Sequence, residues 1–461
     1  MLQQLYNSLP VSIQNAAIST YGILWKKRRF GGLFESEYYS FKERENYTPE
    51  QWRVYQTDQL RRLLVHAINH VPYYTQVFKR VGLNASELAR FELTDLIKLP
   101  VLDKNTMRTE GKHSLVSSVR EAGSSYMQSS GSTGTPIQVL YSRSMHQRVM
   151  AAYESRVRNW AGVNMSMKRA TIGGRKIIPD ENHKPPYYRI NLSEKQLYLS
   201  AYHLSQNTAN NYREGIIKFS PGYMSGYSSA NYLLAKLCDD LNMNMPPMRA
   251  VVVSSDKLTQ EMRETLARVY GCKVFDAWSG VENCGLISEN EYGQLLISPD
   301  VGIVEILNDQ NEPVKPGETG NVVCTGFLNT DQPLIRYNMG DRVTLAANQV
   351  TLCGRHMTVV SAIEGRTEDT ITTSDGRKMV RFHAVYLNLK TVVEAQLIQH
   401  SLYNYEMLIV ACPKVSEADM AEMLKRIRYQ LGDVAIQFRE VDSIPRGSNG
   451  KFKAVISKLT D

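Results

Sequence analysis

From residue 129 to 136 the chain reads Ser-Ser-Gly-Ser-Thr-Gly-Thr-Pro. Gly131 and Gly134 permit a backbone turn that bulkier residues would strain. Ser129, Ser130, Ser132, Thr133 and Thr135 each carry a hydroxyl able to donate to a phosphate oxygen. With main-chain N–H groups added, such a loop can surround a polyphosphate. The same composition also describes a solvated linker, so both readings stay open on these residues alone.

Four later clusters carry compatible chemistry. In Trp278-Ser279-Gly280-Val281-Glu282 the carboxylate follows an expected strand and could hold Mg²⁺ against phosphate oxygens, its alternative being a surface turn. In Pro333-Leu334-Ile335-Arg336-Tyr337-Asn338-Met339-Gly340-Asp341, Asp341 could accept from both hydroxyls of a ribose, or belong to a plain Gly-Asp turn. Arg366, in Gly365-Arg366-Thr367-Glu368-Asp369, is permanently charged and multidentate, which suits ribose or phosphate as well as a salt-bridged linker. Lys451, in Asn449-Gly450-Lys451-Phe452-Lys453, could place a point charge on phosphate oxygens or form part of a basic tail.

These groups need elements to hold them. A chain of 461 residues, 43% hydrophobic and 22% charged, reads as a globular protein of several domains. Leu60, Leu63, Leu64, Ala67 and Ile68 fall at helical spacing and predict a helix over 53–70 that stops near Pro72. Arg249 to Val253 predicts a buried strand, Leu258 to Val269 a helix closed by Gly271, and Lys273 to Phe275 a second strand. Such a β-α-β unit implies a parallel sheet in an α/β fold. Short strands at Val301–Leu307, Asn321–Thr325 and Arg342–Leu345 suggest a small β-rich subdomain. A strand over Met407–Ala411, a helix over Ser416–Leu431 and a strand over Val434–Val441 suggest a compact α+β unit at the C-terminal end.

No apolar run approaches the ~20 residues needed to cross a bilayer. The N-terminal residues lack a secretory signal, and Cys238, Cys272, Cys284, Cys324, Cys353 and Cys412 form no C-x-x-C pair. Reduced thiols in a cytoplasmic protein are expected. Cys353 and His356 are too few ligands for a structural zinc site, and none is expected. The net charge of +8 includes one run, Lys26-Lys27-Arg28-Arg29, a candidate for peripheral contact with an anionic membrane or a solvated helix end. No zinc finger or RNA-binding signature points to a nucleic-acid partner.

Taken in order, the five clusters resemble the motifs of the adenylate-forming enzyme superfamily, which includes acyl-CoA synthetases, luciferases and peptide-synthetase adenylation domains. The resemblance spans roughly residues 50–455. Arg62-Leu63-Leu64-Val65-His66-Ala67, then Val71-Pro72-Tyr73-Tyr74, looks like the entry helix of the phenylacetate–CoA ligase-like branch. Asp375-Gly376-Arg377 and the ending around Lys451 look most like members from capsular polysaccharide clusters.

This resemblance implies an N-terminal helical extension (1–50), a large adenylation domain (51–364) and a small mobile C-terminal α+β domain (365–461). It implies ATP and Mg²⁺ as cofactors, with CoA, an amine or a hydroxyl as acyl acceptor. Residues 129–135 would grip the β- and γ-phosphates, with Trp278, Ser279, Gly280, Asp341 and Arg366 completing the nucleotide site. Glu282 would hold Mg²⁺, Glu368 would be the hinge pivot, and Lys451 would bridge the acid carboxylate and the α-phosphate. Tyr223, Tyr227, Ser254 and Ala277 would line a modest polar acyl pocket. Trp278-Ser279, Val281, Asn338 and Met339 depart from the usual pattern and put adenine or phosphate contacts in doubt. Transfer of AMP itself to an acceptor hydroxyl, and a non-catalytic scaffold, remain alternatives.

Overall fold

The structure is a computed structural model that describes residues 6, 8–128, 137–175, 177–178, 184–201, 203–204, 206–255, 257–364, 371–374, 378–379, 385, 389, 391–411, 414–441 and 455–459. Helices lead: α1 (Val11–Phe30), α2 (Phe34–Arg44), α3 (Pro49–His70) and α4 (Pro72–Arg80). α3 starts where a capping box between Thr48 and Gln51 satisfies its first amides and Pro49 presets the first turn. Its buried stripe of Leu60, Leu63, Leu64 and Ala67 follows the expected spacing. Val71 ends it, and Pro72 begins the next helix rather than only stopping the last.

Strands β1 (Ser125–Gln128) and β2 (Gln138–Tyr141) pair antiparallel, followed by α5 (Arg143–Tyr153), which runs on into a π-helical turn at Glu154–Arg158. Twelve further strands make one sheet. In chain order they are β3 (Arg169–Gly173), β4 (Tyr188–Asn191), β5 (Gln196–Ser200), β6 (Tyr223–Tyr227), β7 (Ala250–Ser254), β8 (Lys273–Trp278), β9 (Ile287–Glu289), β10 (Leu295–Ile297), β11 (Gly302–Leu307), β12 (Thr319–Gly326), β13 (Tyr337–Leu345) and β14 (Val359–Ile363). Their order across the sheet is β11-β12-β13-β14-β10-β9-β8-β7-β6-β3-β5-β4. Strands β8, β7, β6, β3 and β5 are mutually parallel, and every other pairing is antiparallel.

The β-α-β unit lies at β7, α8 and β8, after helices α6 (Gln206–Phe219) and α7 (Ser228–Asp240). Helix α8 (Gln260–Tyr270) opens on the Thr259 cap and closes on Gly271, whose φ of 61° only glycine adopts freely. The strands expected to form a small β-rich subdomain make an antiparallel wing continuous with the parallel strands. β9 pairs antiparallel with β8 through Ala277↔Ser288 and Trp278↔Ile287, and the hydrogen bonding continues unbroken to β11. A further sheet, ordered β17-β16-β15-β18, joins β15 (Val392–Gln399), β16 (Asn404–Ala411), β17 (Ala435–Glu440) and β18 (Val455–Ser457), with α9 (Glu417–Leu431) between β16 and β17. The fold is thus α/β with a small α+β unit after it.

Register assigns the two faces of the parallel strands. Ala170, Ile172, Leu197, Met224, Val251 and Val274 point to one side and form a core with α6, α7 and α8. Arg169, Thr171, Gln196, Tyr198, Tyr223, Ser225, Val252 and Ser254 alternate with them and face α1 and α5. Beneath α2 an ionic network is sealed into the interior. Arg156 donates to Glu45 at 2.8 Å and to Asp300 at 3.0 Å, and Arg44 donates to the same Asp300 oxygen at 2.9 Å. Arg156 and Asp300 are both fully buried.

Candidate active site

The carboxyl end of β8 turns sharply after Trp278. A Cβ on Gly280 would lie 2.1 Å from Glu282 Oε2, so the missing side chain at 280 is what lets the Glu282 carboxylate fold back over its own turn. Glu282 is 6% exposed, and its Oε1 accepts from the Tyr337 hydroxyl at 3.1 Å. Tyr141 clamps the same turn by donating to the Val281 carbonyl at 2.6 Å. Burial pushes the Glu282 carboxyl up to about 7; its own backbone N–H and Tyr337 hold it down, and the charge of Asp341 adds to the rise. Such a carboxyl is short of counter-charge, which a cation would supply.

Asp341 stands opposite on β13, accepting from the Trp278 indole N–H at 3.3 Å. Trp278, Gly280, Glu282 and Asp341 therefore meet at one place, although Asp341 is far away in sequence. Ser279 is different: its hydroxyl donates to the Gly285 carbonyl at 2.8 Å and so braces the turn. No group of three His, Cys, Asp or Glu side chains is arranged to hold a metal among the described residues. Mg²⁺ is commonly held by one or two carboxylates together with substrate phosphates, and Glu282 fits that donor set.

One strand over from β8, under α1 and α5, lies a cavity of about 300 Å³ on the polar face of β7, β6, β3 and β5. Tyr223 and Ser254 line it. Ala277 is opposite Ser254 in register and packs in the adjoining apolar cluster with Tyr223 and Val252. Tyr227 belongs elsewhere. Gly226 before it has a φ of 115°, and the Tyr227 ring packs with the core on the opposite face, close over Gly174. The expected modest polarity is also corrected, because Arg29, Arg158, Arg169 and Arg175 all border this cavity.

The basic run is corrected with it. Arg28 donates to the Tyr141 carbonyl at 2.9 Å and to the Gly123 carbonyl at 3.2 Å, and Arg29 pairs with Glu194 at the cavity. Only Lys26 and Lys27 face solvent, so half of the proposed membrane patch is committed to the interior. Ser129, Ser130, Gly131, Ser132, Thr133, Gly134, Thr135, Arg366, Glu368 and Lys451 lie outside the described residues. The sequence reading missed Tyr141, Tyr337 and the four arginines. A signal existed in Arg169-x-Thr171, Gln196-x-Tyr198 and Tyr223-x-Ser225, where polar groups alternate along buried strands.

Residues 371–458 match the family model of the CapK C-terminal domain. Protein CapK of Staphylococcus aureus is 24% identical over 477 aligned residues that cover 100% of both chains. Phenylacetate–coenzyme A ligase of Thermus thermophilus is 23% identical across 71% of this chain and 73% of its own. This chain is homologous to both. A crystal structure of 2-hydroxyisobutyryl-CoA ligase, in complex with 2-HIB-AMP and CoA, superposes with a TM-score of 0.60 at 17% identity, covering 90% of this chain and 92% of the other. That likeness establishes the shared fold.

Proposed function

We propose that this homologue activates a carboxylic acid as an acyl-adenylate, releasing pyrophosphate from ATP, and then passes the acyl group to CoA or to an amine or hydroxyl acceptor. The observation that carries the reading is the buried Glu282 carboxyl at the end of β8, held by Tyr337 and facing Asp341, one strand over from a cavity able to take an acid. Ligands of open α/β sheets bind outside the carboxyl ends of the strands. The similarity to CapK supports a role in polysaccharide biosynthesis, and the ligase relatives support CoA as acceptor.

In the chemical step a carboxylate oxygen bonds to the α-phosphorus and the bond to pyrophosphate breaks. Two anions must approach, so charge compensation dominates catalysis. Mg²⁺, when bound, would neutralise phosphate oxygens from Glu282. Asp341 would accept from the ribose hydroxyls while Trp278 fixes its carboxylate. Residues 129–135 would grip the departing phosphates and Arg366 the ribose or α-phosphate. Lys451 would bridge the carboxylate and the α-phosphate, with Glu368 at the pivot of the C-terminal unit.

The test is exchange of labelled pyrophosphate into ATP. It should depend on an added carboxylic acid and fall by about two orders of magnitude or more in Lys451→Ala. Exchange without any acid, or full exchange in that variant, would overturn the reading. Stable incorporation of AMP into product would instead indicate adenylyl transfer.

A further inference from the structure

The cavity beside Ser254 carries charge that its described walls leave uncompensated. Arg158 donates to Glu154 at 2.8 Å, and Arg29 pairs with Glu194. Among the described residues Arg169 finds only neutral acceptors, the Glu194 carbonyl at 3.1 Å and the Gln196 amide oxygen at 2.6 Å. Arg175 lies over the Tyr198 ring at 5.1 Å, a cation–π contact that leaves its charge in place. Among the described residues, four guanidiniums thus face two carboxylates. Burial and the repulsion of Arg169, Arg158 and Arg175 pull Arg29 down to about 9, and burial lowers Arg169 as well. The Tyr223 hydroxyl, 1% exposed at the wall, has no hydrogen-bond partner among the described residues.

Crowded cations and an unpartnered buried donor are costly in an apolar interior unless an anion joins them. The position says which anion. Ser254 is opposite Tyr227 in register, and Arg169 is opposite Tyr223, so the two levels stand four residues apart along the strands. At about 3.3 Å per residue the cavity face runs roughly 13 Å from one to the other. Its Ser254 end adjoins Ala277, the residue before Trp278; Arg169 stands at the far end, and Arg175, which follows β3, reaches back over Tyr198, the register partner of Thr171 midway between them.

We propose that the cavity selects a doubly anionic acid, whose reacting carboxylate stands at the Ser254 end and whose second anionic group, a carboxylate or a phosphoryl, is held by Arg169, Arg175 and the Tyr223 hydroxyl. Arg29 and Arg158, anchored by Glu194 and Glu154, supply the surrounding positive field. This deepens the acid-activation reading and rests on it for the identity of the reacting end. A monoanionic acid with an apolar tail would strand the arginines without a partner.

The probes are α,ω-dicarboxylic acids of increasing length, ω-phosphono carboxylic acids, and neutral-tailed acids of matching length. Each is tested twice on the full chain, by acid-dependent pyrophosphate release and by calorimetric titration without ATP. Dianionic acids should be favoured over their neutral-tailed counterparts by about tenfold or more in both assays, as charge-assisted hydrogen bonds predict. The dicarboxylate and phosphono arms identify the second group. Arg175→Ala, at an exposed position that leaves the core alone, should erase about tenfold of that preference, and the isosteric Tyr223→Phe should erase several-fold. Equal or better turnover of neutral-tailed acids would overturn the inference while leaving acid activation intact. Dianion binding that weakens in Arg175→Ala, with no acid-dependent pyrophosphate release, would uphold the anion site and sink the activation reading. Binding indifferent to both substitutions would also overturn the inference.

Discussion

Gly280→Ala probes the turn that holds Glu282. The added methyl would come within 2.1 Å of Glu282 Oε2 and 2.7 Å of the Met339 methyl. Both are far ends of flexible side chains, so the backbone has no reason to move. The carboxylate must swing away, and with it goes the 3.1 Å hydrogen bond from Tyr337. A hydrogen bond to a charged group contributes about 1.5–3 kcal/mol, equivalent to roughly one to two orders of magnitude in rate. Pyrophosphate exchange should fall by that factor, with the loss largest at limiting Mg²⁺, while the melting temperature shifts by no more than a few degrees. Exchange at the wild-type rate would show that the carboxylate does not need its folded-back position. A collapse of stability would show that the turn, and not the carboxylate, absorbs the methyl.

Arg156→Met should destabilise by about 3–5 kcal/mol, because it leaves Asp300 and Glu45 buried with fewer partners. Urea unfolding followed by tryptophan fluorescence reads it, since the Trp160 indole donates to the same Glu45 at 3.3 Å; a loss below about 1 kcal/mol would contradict it. His146 is buried between Trp25 and Tyr141, and burial, then Arg29 and Arg28, hold its imidazole down to about 3. An unfolded histidine titrates near 6.5, so between these values the unfolded chain takes up a proton that the folded one refuses. Stability is then complete above about pH 6.5 and declines as pH falls, by about 3 kcal/mol at pH ~4. His146→Leu should flatten that slope in thermal unfolding, and an unchanged slope would refute the assignment. With Arg28 and Arg29 turned inward, Lys26 and Lys27 offer only about 2 kcal/mol of attraction to an anionic surface. Weak, salt-sensitive partition onto phosphatidylserine vesicles should therefore disappear when both lysines are neutralised.

The β-α-β unit was legible because local signals agreed: an apolar run, a helical stripe and a glycine where φ turns positive at Gly271. Glu282 and Asp341 were legible as chemistry, and their meeting across β8 and β13 needed the sheet. The arginine-lined cavity was not legible, because α1, α5, the π-helical turn and four strands contribute to it from stretches far apart in the chain. Lys26 to Arg29 misled for a related reason: charge density along a helix does not say which side of it lies against the protein. Arg28 and Arg29 lie on the inward side, where the Tyr141 carbonyl and Glu194 receive them. The β-rich wing was legible as short strands between turns, and its continuity with the parallel strands through β9 was not, because that pairing lies outside the local pattern.

Helix α1 roofs the cavity with Trp25 and Arg29, and its Arg28 holds the carbonyl of Tyr141, the residue that clamps the turn carrying Glu282. One peripheral helix thus touches both the cavity and the brace of the turn. On the reading proposed above, substitutions at Arg29 would tune the positive field of the cavity while the strand residues Arg169 and Tyr223 stay in place. Chimaeras exchanging only that helix should therefore change the strength of the preference for a dianionic acid and leave its identity alone.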